Sequence, residues 1–380
     1  MDKIRLGMVG GGNDAFIGGV HRIASRIDGH FELVAGALSS STEKAKRSAE
    51  ALGLDPERSY GSFEEMAEAE AARDDGIEAV SIVTPNHVHY PAAKAFLDHG
   101  IHVICDKPLT ATFEDADAME QAVKESRSLF ILTHNYTGYP MIRQARSMVA
   151  DGAIGSVRVV QLEYAQDWLT ESVEKDGSKQ AEWRTDPKRS GAGGAIGDIG
   201  THAYNLGCFV TGLSGERLAA DLHSFGAGRT LDDNAHIMIR YHGGARGMLW
   251  CSQVAPGCEN ALTIRVYGDR GGLEWAQEDP NYLWYTPHGE PKRLIRRMGA
   301  GASDEANAVS RIPPGHPEGY LEGFANLYTE AAEAIRSVRS GESRENVMGR
   351  LPGISAGMEG MAFIRACVAS SENDAGWVAL

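Results

Sequence analysis

Ile4-Arg5-Leu6-Gly7-Met8-Val9-Gly10-Gly11-Gly12 is an apolar run that ends in three glycines, and Asn13-Asp14-Ala15-Phe16-Ile17 separates it from a further glycine, Gly18. A short apolar run closed by glycine reads as a buried strand feeding a tight turn, with a helix beginning near Gly18. Such a turn lets the backbone come close to a pyrophosphate while the helix N-terminus aims its free N–H groups at the anion. The gap before Gly18 is longer than in the usual GxGxxG, and glycines after a strand also serve as a plain turn with no ligand. What surrounds the turn favours the ligand.

Along the first third of the chain, buried-strand runs at 4–9, 31–38, 79–84, 102–105 and 129–133 alternate with helical periods at 18–27, 42–52, 63–72, 88–98 and 113–126. Strand and helix in alternation predict an α/β domain with a parallel, doubly wound Rossmann sheet. Thr84-Pro85-Asn86-His87 comes after the third strand and falls on the same carboxyl edge as the glycine turn. Past Met148 the pattern changes to strands at 156–165, 235–241, 247–254, 262–267 and 273–276, with Gly268-Asp269-Arg270-Gly271-Gly272 as a hairpin connection. This half predicts an α+β domain on an open, mostly antiparallel sheet.

Helical stretches at 320–337 and 358–369 close the chain, and the aperiodic segments 170–180 and 298–311 are expected to be mobile loops over the site. A length of 380 residues suggests two domains. The expected division is a dinucleotide-binding domain over 1–135 and a substrate-binding and oligomerisation domain over 136–380, with the C-terminal helix packing back on the first.

Composition narrows the function. With 42% apolar and 23% charged residues the chain is that of a globular protein. Lysine and arginine number 37 against 52 acids, a net charge of −15 without any basic block, so no nucleic acid is expected as partner. Cys105, Cys208, Cys251, Cys258 and Cys367 are scattered and odd in number, which suits reduced thiols and a cytoplasmic home. Neither a secretory signal nor an apolar run of about eighteen residues is visible, so no membrane partner is expected.

Two further segments carry chemistry. Asp106-Lys107-Pro108 comes after the fourth strand, so the Lys107 ammonium can project from a carboxyl end and steady an alkoxide; alone, it reads more readily as a surface lysine, and only the company of the other motifs reverses that. In Gly191-Ala192-Gly193-Gly194-Ala195-Ile196-Gly197-Asp198-Ile199-Gly200-Thr201-His202, glycine-rich backbone gives way to a helix carrying Asp198 and His202 on one face. Imidazole can accept a carbinol proton and the carboxylate can orient it. The plainer alternative makes Asp198 a helix cap and His202 a packed core residue.

His87 and His89 form an HxH pair with no third ligand at a persuasive spacing, so no metal is expected. Tyr136, Tyr164, Trp168, Trp183 and Arg184 suit sugar stacking or hydroxyl bonding, or else core packing. After the second strand stands Leu38-Ser39-Ser40-Ser41 rather than an acid for the ribose, with Lys44 and Arg47 beyond, so NAD is expected and NADP stays open.

In this order the glycine turn, TPNHVH, DKP where EKP is usual, Trp183-Arg184 and GGAIGDIGTH resemble the Gfo/Idh/MocA oxidoreductases over nearly the full length. The resemblance implies NAD(P)-linked chemistry on sugars, inositols or related polyols, and a homodimer or homotetramer joined through the open sheet. By position it implies Lys107, Asp198 and His202 as the catalytic set, with Asp106 replacing the usual Glu. The expected cofactor contacts are Gly10, Gly12, Asn13, Phe16, Ile17, Gly18, Ser39, Ser40, Thr84, Pro85, Asn86, His89, Asp106, Lys107, Asn135, Trp183 and Arg184. Substrate contacts are expected from Lys107, Tyr136, Tyr164, Trp168, Asp198 and His202. Two alternatives to net oxidation are a glycoside hydrolase that oxidises transiently and returns the hydride, and a non-catalytic sugar or nucleotide sensor.

Overall fold

The computed structural model describes residues 2–13 and 15–380; Asp14, within the glycine turn, lies outside the described residues. Its contacts gather into two compact units, Met1–His134 with Phe324–Glu359 and Asn135–Gly323 with Gly360–Leu380.

In the first unit β1 (Ile4–Gly10), β2 (Phe31–Ala37), β3 (Ala79–Val83), β4 (His102–Cys105) and β5 (Phe130–Leu132) form a parallel sheet in the order β2-β1-β3-β4-β5. Helices α1 (Phe16–Ile27), α2 (Thr42–Ala51), α3 (Phe63–Ala71), α4 (His89–Asp98) and α5 (Phe113–Glu125) lie between the strands in the chain. Every residue of β3 is buried, as a strand covered on both faces requires. Because β2 lies on one side of β1 and β3 on the other, the strand order reverses there, and the carboxyl ends of β1 and β3 stand side by side.

Helix α1 starts at Phe16 rather than near Gly18. The turn closes through Ala15 N–H to the Gly12 carbonyl at 2.9 Å, which absorbs the extra residues and puts Gly18 inside the first turn of the helix. Local caps set other boundaries: Ser62 accepts from the N–H of Glu65 at the start of α3, and Thr112 from that of Asp115 at the start of α5. Between β2 and β3, the buried Arg58 and Glu70 pair, and Glu70 also accepts from Tyr60 Oη at 2.8 Å and from the N–H of Ile77 at 3.0 Å. Breaking such a pair from one side costs about 3–5 kcal/mol.

The second unit opens with α6 (Pro140–Ala150) and is built on β6 (Val157–Ala165), β7 (Gly215–His223), β8 (Asn234–Tyr241), β9 (Arg246–Ser252), β10 (Ala261–Gly268), β11 (Gly271–Ala276), β12 (Tyr282–Pro287), β13 (Arg293–Arg296) and β14 (Val378–Ala379). Their order is β13-β12-β11-β10-β6-β9-β8-β7-β14, antiparallel throughout except for the parallel β6–β9 pair. Strands β7, β12, β13 and β14 go beyond the expected set. β7 opens at a glycine with two charged residues near its start, while β13 is short, begins and ends with arginine and is nearly all exposed, so neither shows the alternation that marks a strand.

Short helices α7 (Lys179–Arg184) and α8 (Pro187–Ser190) precede α9 (Thr201–Thr211), and α10 (Asp304–Ala308) comes after β13. α6 and α9 cover one face of the sheet. A side chain at Gly207 would stand 2.9 Å from Leu162 Cδ1, so α9 lies close on β6. The chain ends with α11 (Tyr320–Arg339), α12 (Arg344–Met348) and α13 (Ile354–Glu372) before β14.

Both segments expected as mobile loops are tied to the second unit. Arg229, 3% exposed in its side chain, donates to the carbonyls of Leu169 and Glu171 and pairs with Glu174 and Asp233. Beyond residue 298 the buried Arg297–Glu318 pair holds the N–H groups of Arg311 and Ile312, and α10 forms behind a Ser303 cap. Most of the anchoring side chains lie outside the aperiodic windows, which is why the windows alone read as loose.

Candidate functional site

At the end of β1, Gly10 and Gly11 adopt φ of +77° and +68°, a region that only glycine enters freely. A side chain on Gly10 would come within 2.9 Å of the Val83 carbonyl and of Thr84 Cγ2; one on Gly18 would stand 2.3 Å from Gly11 Cα. The glycines thus let turn, helix and β3 end close on one another. Ala15 offers no side-chain cap to α1 and the first turn of the helix carries no acid, an arrangement that suits an anion at the positive end of the helix. Arg22 reaches back to the Gly11 carbonyl. This cradle fits the pyrophosphate of a dinucleotide.

Around it, Phe16 is 70% exposed at the tip of α1, while Ile17 packs on the cluster of Met8, Leu38, Ala49, Leu54 and Val83. The Asn13 N–H donates to Ser48 Oγ at 3.2 Å, and Ser39 Oγ accepts from the N–H of Ser41 at 3.2 Å, with Ser40 exposed beside it. At the end of β3, Thr84 Oγ1 is buried with no hydrogen-bond partner, and Pro85 leads into a short turn at Asn86–Val88 in which Asn86 is buried.

His89 departs from the role expected of it. Its ring is wholly buried, with Nδ1 2.9 Å from the Pro108 carbonyl and Nε2 3.0 Å from the Thr84 carbonyl. Burial holds its pKa below the usual histidine value. Each ring nitrogen faces a main-chain carbonyl and the neutral imidazole donates its single N–H to one of them, so the wholly buried side chain braces the two loops from behind and turns no atom toward a cofactor. Exposed His87 and buried His89 therefore do not make a ligand pair, and among the described residues no group of His, Cys, Asp and Glu could hold a metal.

After β4, the Lys107–Pro108 peptide is cis. Asp106 Oδ1 accepts from the Lys107 N–H at 3.0 Å and from Thr133 Oγ1 at 2.9 Å, which fixes the acid at the neck of the loop. Burial, with the Lys107 charge adding to it, pushes the His134 imidazole down to about 4, so this histidine stays neutral beside the ammonium.

In the second unit, Asp198 sits in a π-turn, Ile196–Gly200, that runs directly into α9 with the N–H of Thr201 bonded to the Ile196 carbonyl. One inserted residue per turn is the mark of this geometry, which recurs at functional sites. Asp198 does not cap the helix. Its Oδ2 accepts from Arg184 Nε at 3.2 Å and from Gln253 Nε2 at 2.9 Å, while Asp232 accepts from the N–H groups of Gly194 and Ile196.

His202, 9% exposed, lies edge-on to Tyr136 with ring centroids 4.8 Å apart. Tyr136 Oη is 2.5 Å from Tyr164 Oη, which donates to Asn260 Oδ1 at 2.9 Å; burial raises both phenol pKa values, so both stay protonated. Gln166 Nε2 donates to the same Asn260 oxygen at 2.8 Å, and Gln166 Oε1 accepts from Trp168 Nε1 at 3.0 Å. The Arg184 guanidinium lies 4.3 Å from the Trp183 ring centroid and 6.0 Å from that of Trp168. Tyr136, Tyr164, Trp168, Trp183, Arg184, Asp198 and His202 thus belong to one connected cluster, and Asn135 is buried next to Tyr136.

Gln166, Gln253, Asn260 and Asp232 went unread in the sequence. Strand alternation through Leu249 and Cys251 places Gln253 on the inner face and could have found it. Asp232 and Asn260 sit in polar turns with no local signal.

Residues 4–136 match the oxidoreductase family with an NAD-binding Rossmann fold, and residues 142–274 match the GFO/IDH/MocA C-terminal domain. The chain belongs to the GFO/IDH/MocA oxidoreductase family. As a member it is an NAD-dependent oxidoreductase, and its NAD-binding Rossmann domain spans residues 4–136.

An oxidoreductase from Sinorhizobium meliloti is 62% identical, each chain covered in full, with a TM-score of 0.90. An inositol dehydrogenase homolog from Azotobacter vinelandii, complexed with NADH and myo-inositol, is 36% identical over 100% of this chain and 98% of that one, with a TM-score of 0.93. The levoglucosan dehydrogenase of Pseudarthrobacter phenanthrenivorans is 30% identical over 73% of this chain and 75% of its own length. No helix among the described residues is long and apolar enough to cross a membrane.

Proposed function

We propose that this GFO/IDH/MocA enzyme oxidises a secondary hydroxyl of a cyclic polyol or sugar, the first unit holding NAD and the second the substrate. NAD+, when bound, would supply the hydride acceptor for the carbinol carbon. His202 accepts the hydroxyl proton, Asp198 orients the imidazole and a neighbouring hydroxyl, and Lys107 donates to the reacting oxygen and steadies its negative charge. Tyr136, Tyr164 and Trp168 supply the ring-stacking and hydroxyl-bonding wall.

The observation that carries this reading is the second unit's cluster: a carboxylate fixed by Arg184 and Gln253, one turn ahead of a buried imidazole edge-on to Tyr136. The bonds from the side chains of Arg184 and Gln253 to Asp198 Oδ2 are ones that a mere helix cap does not call for. The relatives named for myo-inositol and levoglucosan support cyclic polyols and anhydrosugars as the substrate class.

The test is a screen of inositols, aldoses, anhydrosugars and simple glycosides, monitored at once for NADH and for released sugar. Stoichiometric NADH from a polyol is the expected result; sugar released with no NADH would replace net oxidation by redox-neutral hydrolysis. Lys107→Ala and His202→Ala should each lower kcat by about 10²-fold or more while NAD+ binding stays near wild type. Normal turnover in either variant removes that residue from the mechanism.

A further inference from the structure

We propose that Asp232 is a positioning residue, its carboxylate setting the start of the π-turn and thereby the places of Asp198 and His202. Asp232 Oδ1 accepts from the N–H of Gly194 at 2.7 Å and Oδ2 from that of Ile196 at 2.8 Å, while its own carbonyl accepts from the N–H of Ala195 at 2.8 Å. One residue thus takes three consecutive donors at the mouth of the turn, donors that a helix start otherwise leaves unpaired. The approach is so close that a side chain on Gly194 would stand 2.0 Å from the Asp232 carbonyl oxygen, so glycine is required there.

The next residue grips the same site from the other side. Asp233 holds the N–H groups of Phe225 and Gly226 through its carboxylate, and its carbonyl accepts from the Gln253 N–H at 2.8 Å. Gln253 then reaches Asp198 Oδ2 with its side chain. The Asp232-Asp233 pair therefore holds Asp198 both through the backbone that carries it and through the amide that bonds it.

A π-turn is one residue overfull relative to an α-helix, and relaxing the insertion rotates the backbone on one side of it by about 100° relative to the other. Asp198 lies within the insertion and His202 beyond it. Loss of the Asp232 clamp would separate the two groups without touching either. Burial raises the Asp232 carboxyl to about 6, consistent with a charge taken out of water to make these bonds.

This inference rests on Asp198 and His202 being the reacting pair, and the experiment separates the two. Asp232→Asn keeps the shape but turns one acceptor into a donor facing an N–H. With NAD+ and the polyol that turns over fastest in the screen, kcat should fall about 10²-fold while KM for NAD+ is unchanged. Amide exchange in the 194–202 peptide should speed up in the same variant. Gly194→Ala, which attacks the joint from its other side, should do likewise and serves if Asp232→Asn fails to fold. Glu318→Gln, which breaks a buried pair elsewhere in the unit, should lower Tm and leave kcat in place. Turnover in Asp232→Asn within about threefold of wild type, or a matching loss of kcat in Glu318→Gln, overturns the positioning role. If His202→Ala turns over normally, the reading of the reacting pair has failed instead.

Discussion

Gly18 is required by distance, not by dihedral angle. Its φ is ordinary for a helix, yet a methyl there would stand 2.3 Å from Gly11 Cα and 2.5 Å from the Gly11 carbonyl oxygen. Gly18→Ala should therefore push α1 off the turn and weaken NAD+ binding by about tenfold or more, read by calorimetry, with helix content retained. An unchanged Kd would mean that the anion does not sit on this turn. The tight turn was legible in the sequence because glycines that close an apolar run mark a place where the backbone bends sharply. Asp232 was not, since a carboxylate that clamps a distant, earlier turn of the chain leaves no periodic trace near itself. His89 misled for a related reason: a histidine at a carboxyl edge reads as a ligand contact, and only its two carbonyl partners reveal a brace.

The alternation of strand and helix marks out β1 to β5 plainly, because buried parallel strands are apolar throughout and the helices between them keep a clean period. Edge strands such as β13, and a turn such as Ile196–Gly200 that inserts a residue, obey neither rule. Within the predictable part, β4 and β5 are joined at their start by a side chain: His102 Nδ1 accepts from the N–H of Leu129 at 2.9 Å, just ahead of the ladder bond from Val103 N–H to the Leu129 carbonyl. An acceptor nitrogen must be unprotonated. Burial, together with Arg339 and Arg344, lowers this imidazole to about 4. The unfolded chain takes up a proton near its ordinary value of about 6.5 while the folded chain does not, so stability present above that value is lost as pH falls toward 4. His102→Asn, which offers a carbonyl oxygen in place of Nδ1, should lose less Tm than wild type between about pH 7 and pH 4. Parallel Tm profiles for the two proteins would rule out this origin for the acid sensitivity.

For the complete chain, the face of the nine-stranded sheet opposite α6 and α9 is the feature to explain. Leu294, Trp284, Glu274, Arg265, Gln161, Met248 and Met238 face one another in register across it. Of these, Met238 is 54% exposed, Met248 44%, Leu294 42% and Trp284 40%, a large apolar content for a surface of a chain with net charge −15. We expect a homodimer or homotetramer that buries this face, and Met238→Glu with Met248→Glu should shift it to monomer in light scattering. A monomeric wild type would count against that use of the face. The order of the chain has a separate consequence. Residues that complete the first unit come after Asn135–Gly323: the Pro352 carbonyl accepts from Leu132 N–H, Arg344 holds the Ser128 and Val123 carbonyls, and Tyr328 Oη meets His21 and Ser81. On a ribosome adding about 5–20 residues each second, the nucleotide-binding half waits tens of seconds for its last pieces to emerge. During synthesis this protein has to finish last what it began first.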